Sequence, residues 1–170
     1  MYLLLIVILI VIILIIYSSP MIEKHTKITI NPLHGCEVYP KLYIGNYMFA
    51  SDKHILNKLG ITHIINAAIE IPNYFELDNS FHYLHLDMYD IPQQNAAQFF
   101  DISTNFIEDA LKNGHSVLVH CKAGISRSST IIIHYLMTKL NISYQQALNM
   151  VRKCRPQAQP NIGFMQQLNF

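Results

Sequence analysis

The sequence predicts an α/β fold, a central mixed sheet flanked by helices and preceded by an N-terminal hydrophobic helix. Two patterns carry that expectation: short β-branched runs alternate with segments of helical spacing, and one apolar strand runs into a glycine-bearing loop able to open a helix. A third pattern, the unbroken Leu/Ile/Val run Leu3 to Ile16, stands apart from both.

At 170 residues the chain suits one domain, with enough residues beyond the apolar terminus to bury a core. The expected division is a hydrophobic anchor over 1–22, a linker over 23–34 and a catalytic domain over 35–170. Met1 to Ile22 carries no charged side chain. That length is close to the roughly 20 residues, at ~1.5 Å each, needed to cross a bilayer core of about 30 Å. No Lys or Arg precedes the run, and Tyr17-Ser18-Ser19-Pro20 is a poor cleavage site, so an uncleaved anchor is favoured over a secretory signal. Lys24 and Lys27 follow it, which by the positive-inside tendency places the domain in the cytosol. The expected location is therefore a single membrane span with the catalytic domain facing the cytosol. Asn141-Ile142-Ser143 would be a glycosylation sequon only on the opposite side.

Within the folded part, Pro40 argues against a strand over Glu37 to Tyr39. Lys41 to Gly45 reads as the first strand. Asp52 to Leu59 spaces Ile55, Leu56 and Leu59 as a short helix closed by Gly60. Ile61 to Asn66 and Phe81 to Leu86 have strand length and composition, and both read as buried. Phe99 to Leu111 sets Phe99, Ile102, Phe106, Ile107 and Ala110 on one helical stripe, and Ser116 to His120 follows as an apolar strand. Thr130 to Ile133 favours a strand by propensity alone, but propensity is a weak prior. Ser143 with Gln146 forms a capping box for a helix to about Lys153, which Arg155-Pro156 stops.

Net charge is +1 and charged residues make up 14% of the chain, so no broad basic surface for nucleic acid is expected. Three widely spaced cysteines, Cys36, Cys121 and Cys154, fit neither a disulfide framework nor a zinc cluster. They point to a reducing compartment, with Cys36 and Cys154 as free buried thiols. His82 and His85 lie three apart on a strand and so point to opposite faces, which favours structural roles over a metal pair. No metal and no cofactor is expected.

The chemistry concentrates in His120-Cys121-Lys122-Ala123-Gly124-Ile125-Ser126-Arg127-Ser128. A loop of this length can turn its backbone N–H groups inward around a tetrahedral oxyanion, and a following helix adds the positive end of its dipole. The same field favours a thiolate: a cysteine that ordinarily titrates near ~8.5 falls to about 3.5–7.5 in such surroundings. Arg127, six positions on, offers a planar fork that grips two phosphate oxygens. Ser128 is placed to hydrogen-bond the sulfur, Gly124 to supply a backbone angle that a side chain forbids, and His120 to orient the loop. Lys122, Ala123, Gly124, Ile125 and Ser126 supply the phosphate-binding amides, with Lys122 either a solvated residue or added charge for an acidic substrate. The need for a helix after the loop settles Arg127 to Leu140 as helical.

These residues resemble the dual-specificity branch of the cysteine-based protein tyrosine phosphatases, whose signature is His-Cys-x5-Arg followed by Ser or Thr. The resemblance runs from about Val38 to Leu168, through Tyr43-Ile44-Gly45, Gly60 to Asn66, Ala123 to Ser128, Tyr135-Leu136-Met137, Arg155-Pro156, Pro160 to Phe164 and Gln167-Leu168. It implies a dual-specificity phosphatase-like fold and hydrolysis of phosphotyrosine and phosphoserine or phosphothreonine on proteins through a phosphocysteine at Cys121. It also implies a general acid on an upstream loop, for which Asp90 in Tyr83 to Pro92 holds the matching place, with Asp87 the alternative. Such an acid contributes roughly 10²–10⁴-fold. Two other readings stay open: the same chemistry on a phosphoinositide or an RNA 5′-triphosphate, and a noncatalytic phosphoprotein-binding module. Retention of both Cys121 and Arg127 argues against the second.

Overall fold

The computed structural model describes residues 34–168. In chain order they form β1 (Gly35–Tyr39), β2 (Leu42–Gly45), α1 (Tyr47–Ala50), α2 (Lys53–Lys58), β3 (Ile61–Asn66), β4 (His82–His85), a 3-10 turn (Ala97–Phe99), α3 (Phe100–Lys112), β5 (Ser116–His120), α4 (Arg127–Leu140), α5 (Tyr144–Cys154) and α6 (Ile162–Leu168). The sheet order is β1-β2-β5-β3-β4. Only the β1–β2 pair is antiparallel; β2, β5, β3 and β4 run parallel, so the sheet is mixed as expected.

Alternation of side chains along the strands sorts the core into two layers. Leu42, Ile44, Ile65, Val117 and Val119 face the layer that holds Ile131 and Ile132 of α4 and Leu148 of α5. Tyr43, Ile64 and Leu118 face the other, against Phe49 of α1 and Leu56 of α2. β5 lies between β2 and β3 and is buried along its whole length, which its unbroken apolar run Val117 to Val119 requires. α4 buries Ile131, Ile132 and Ile133 together, so burial on all sides overrides their strand propensity.

Several expectations need correction. Gly35–Tyr39 is a strand, because Pro40 falls in the turn and not in the ladder: Tyr39 pairs with Leu42, and Lys41 takes φ 62°. The two four-to-seven-residue helices α1 and α6 were not anticipated; α1 is capped by Asn46, whose Oδ1 accepts from the Phe49 amide at 3.0 Å. β4 is an edge strand whose own residues are half-buried or exposed, with burial confined to the flanking Phe81 and Leu86. In α3 the buried positions are Phe100, Ser103, Ile107 and Ala110, so Ile107 and Ala110 of the expected stripe are buried and Phe106 is half-buried, while Ile102 is 51% exposed and Phe99 falls in the 3-10 turn before the helix.

The cysteine expectation also fails. Cys36 and Cys154 form a disulfide with Cα atoms 5.9 Å apart, since β1 packs beside α5 and brings together residues separated by 118 positions. Cys121 is free and buried.

The expected membrane placement is withdrawn: among the described residues no helix is long and apolar enough to cross a membrane. The anchor assigned to 1–22 and nearly all of the linker lie outside the described residues.

Candidate active site

The site sits where the parallel strands β2, β5 and β3 deliver their C-terminal ends. β5 ends at His120, residues 121–126 turn back, and α4 starts at Arg127. The Cys121 sulfur is buried and accepts a hydrogen bond from the Gly124 amide at 3.2 Å; the Ser128 hydroxyl lies 3.4 Å from it.

What holds the loop in this shape is Arg155, which follows α5 and is 1% exposed. Its Nε donates to the Gly124 carbonyl at 3.0 Å and its Nη2 to the Ala123 carbonyl at 2.7 Å. In a trans peptide the C=O and the next N–H point oppositely. Tying down the Ala123 carbonyl therefore aims the Gly124 N–H at the sulfur, and tying down the Gly124 carbonyl aims the Ile125 N–H into the same hollow. Gly124 has φ +68°, and an added Cβ would meet the Gly45 carbonyl oxygen and Arg155 Nη2, both at 2.8 Å. The rest of the loop is anchored by the Tyr47 amide donating to Lys122 O at 3.2 Å and the Gln159 amide donating to Ile125 O at 2.9 Å. The Lys122 and Ala123 side chains face solvent, Ile125 is half-buried, and Ser126 is buried.

Arg127 is 4% exposed. Its Nη1 and Nη2 donate to the two carboxylate oxygens of Glu70 at 2.6 and 2.7 Å, and Nη1 also donates to Met88 O at 3.0 Å. Burial alone would lower its pKa; the Glu70 hydrogen bond and the charges of Cys121, Glu70 and Asp90 outweigh that and raise it. The reciprocal hydrogen bond from Arg127 holds the Glu70 carboxyl below its usual range, against an opposing burial effect.

Asp90 is poised over the loop. Its Oδ1 accepts from Ser126 Oγ at 2.6 Å and from Asn161 Nδ2 at 2.9 Å, and its Oδ2 lies 3.9 Å from Arg127 Nε. The Asn161 amide donates in turn to Ser126 Oγ at 3.1 Å. Asp87, the alternative acid, is exposed and makes no hydrogen bond or ion pair among the described residues.

His120 is fully buried, and neither ring nitrogen has a hydrogen bond of normal geometry. Burial pushes its pKa down to about 4, weakly opposed by the Cys121 backbone, so the ring is neutral at pH 7. It packs behind the loop, and the hydrogen bond expected to orient the loop is not formed. The His82 ring lies against that of His63, tilted by 37° with centroids 4.9 Å apart, and His85 Nε2 lies 3.3 Å from Ala68 O.

Sequence reasoning missed Glu70 and the brace role of Arg155, and it placed Asn161 only within the resemblance. A lone glutamate in a turn gives no pattern to read. Arg155 was visible only as a helix stop and within the resemblance.

Residues 42–170 match the family described as dual specificity phosphatase, catalytic domain. The chain belongs to this family. Among curated dual specificity phosphatases it is 39% identical over 132 residues to dual specificity protein phosphatase 9 of Homo sapiens, covering 78% of this chain and 34% of that one. It is 43% identical over 133 residues to MAP kinase phosphatase with leucine-rich repeats protein 3 of Dictyostelium discoideum, covering 78% of this chain and 15% of that one. The chain thus spans about a third or less of the length of these relatives. Among solved structures, human tyrosine phosphatase-like serine/threonine/tyrosine-interacting protein superposes with a TM-score of 0.76 at 39% identity, covering 80% of this chain and 93% of that one. The dual specificity phosphatase fold expected from the motif is therefore the fold observed, without support for a hydrophobic N-terminal helix.

Proposed function

We propose that this chain hydrolyses phosphate monoesters on proteins, phosphotyrosine together with phosphoserine and phosphothreonine, through a phosphocysteine at Cys121, and that residues 35–170 form the catalytic unit. The observation that carries this reading is that one loop begins at the Cys121 sulfur with its two hydrogen-bonding neighbours and ends at Ser126, bonded to an Asp90 carboxyl that lies 3.9 Å from the Arg127 guanidinium. Family membership supports the reaction class.

The Cys121 thiolate attacks phosphorus as the ester oxygen leaves, and Asp90 in its acid form gives that oxygen a proton. Loop amides and Arg127 bind the three non-bridging oxygens, whose charge is best matched in the transition state. Water then attacks the phosphocysteine, Asp90 takes its proton, and the sulfur departs as thiolate with Ser128 donating to it. Inorganic phosphate leaves and both groups return to their starting states, with water the only other reactant.

Lys122 is the only basic side chain within residues 121–126, and it is exposed, which favours a protein substrate over a polyanionic lipid or RNA 5′-triphosphate. A panel of phosphopeptides, phosphoinositides and 5′-triphosphorylated RNA tests this. Preferred release of phosphate from phosphopeptides, abolished in Cys121→Ser with binding retained, is expected. Full turnover by Cys121→Ser, or tight phosphopeptide binding by the native chain without phosphate release, would overturn it, the latter in favour of a binding module.

A further inference from the structure

We infer that Glu70 is a positioning residue that orients Arg127 so that one edge of its guanidinium, Nε with the second Nη2 hydrogen, faces the substrate phosphate. This rests on the Cys121 to Arg127 loop being the phosphate site.

A guanidinium carries five N–H donors in a fixed plane. Glu70 takes one from each terminal nitrogen in a two-point pair at 2.6 and 2.7 Å, and Met88 O takes the other Nη1 hydrogen at 3.0 Å. Those three contacts fix the plane and its rotation. They leave Nε–H and one Nη2–H, which share the opposite edge. Nε is buried and has no hydrogen-bond partner, and its nearest acidic neighbour, Asp90 Oδ2, is 3.9 Å away, beyond a hydrogen bond. Asp90 marks the direction, because the same carboxyl is bonded to Ser126 of the loop. A buried donor without an acceptor is costly, and an arriving oxyanion would supply one.

Glu70 is itself held in place. It stands in the turn after β3, and the buried Asn66 at the end of that strand fastens the turn: its Nδ2 donates to Ile71 O at 2.7 Å and to Asn73 Oδ1 at 3.1 Å, while its Oδ1 accepts from the Ala68 amide at 3.2 Å. Rigid support of this kind is what a precisely aimed anion clamp needs, and it exceeds what an ion pair serving only stability would require, given that the Glu70 side chain is 40% exposed.

The test uses the full chain with Glu70→Ala and Glu70→Gln, p-nitrophenyl phosphate as substrate and inorganic phosphate as the probe. Two readouts report phosphate affinity: competitive inhibition, and protection of Cys121 from alkylation by uncharged iodoacetamide. Loss of a two-point charged contact predicts that Ki for phosphate rises about tenfold or more and kcat/KM falls about 10–100-fold, with the unprotected alkylation rate within about twofold of native. In an Arg127→Lys background, which lacks the fork, Glu70→Ala should change the phosphate protection constant by less than about twofold. Native phosphate affinity in both Glu70 variants, or an undiminished effect in the lysine background, would overturn the inference while leaving the phosphatase reading intact. Absence of both turnover and phosphate protection in the native chain would instead overturn that reading and this inference with it.

Discussion

Replacing Gly124 by alanine tests whether the loop conformation, rather than merely its residue types, makes the site. At φ +68° a side chain costs about 1–2 kcal/mol in any surroundings. Here the new Cβ would also stand 2.8 Å from the Gly45 carbonyl oxygen and 2.9 Å from its carbon. Neither obstacle can retreat cheaply: Gly45 ends β2 and is paired with His120 in the sheet, and Arg155, also at 2.8 Å, is buried and bonded to the loop it would have to release. Restoring ordinary contact moves the loop by roughly half an ångström, and adds overpacking of about 1–3 kcal/mol. We predict a stability loss of about 3 kcal/mol in urea unfolding. Because a displacement of about 1 Å can cost 10²-fold, kcat/KM for p-nitrophenyl phosphate should fall about 10–100-fold at temperatures where the variant remains folded. A Gly124→Ala protein within about 0.5 kcal/mol and twofold of native would show that neither the backbone angle nor the close approach to Gly45 matters.

Other perturbations address the acid and the buried histidine. Gly163→Ala would drive its Cβ into the Pro92 carbonyl, displacing α6 from the segment that carries Asp90; kcat should drop about tenfold or more for alkyl phosphates while oxyanion affinity stays near native, and a loss confined to phosphate affinity would contradict this. Asp90→Asn should cost roughly 10²–10⁴-fold on alkyl phosphates and less on p-nitrophenyl phosphate, whose leaving group needs little protonation; equal losses on both would point to another acid. His120 is neutral in the fold with its pKa pushed down to about 4 by burial, whereas the unfolded chain takes up that proton near 6.5. Stability is thus fully present above pH 6.5 and lost as pH falls toward 4, by about 3 kcal/mol from this group. His63, lowered to about 4 by burial and by His115 and His82, titrates in the same window, so the His120 share is read as the difference between native and His120→Gln unfolding at pH 7 and pH 4.5. Parallel pH profiles for the two proteins would refute it.

Much of the candidate site's layout was legible because it is local. His120 to Ser128 is one continuous segment, and a strand that ends in an anion-binding turn must be followed by a helix, which is why Arg127–Leu140 could be assigned against the propensity of its isoleucines. The capping box at Ser143 and Gln146 was readable for the same reason, and both of its hydrogen bonds are present. What escaped is long-range. Glu70 lies 57 residues from Arg127, and Arg155 lies 31 residues from Gly124; neither distance leaves a spacing signal. The β1 strand was hidden by reading Pro40 as a strand breaker when it serves the hairpin turn, and with β1 unseen the Cys36–Cys154 disulfide had no geometry to suggest it.

Covalent capture of the intermediate bears most directly on the account. Rapid acid quench of the native chain and of Asp90→Ala during turnover of a phosphotyrosine peptide, followed by mass spectrometry of the proteolytic fragments, should place one phosphoryl group on the fragment containing Cys121, with none in Cys121→Ser. Phosphate release with the fragment unmodified in every quench, or with the label on another residue, would contradict a mechanism that runs through this sulfur.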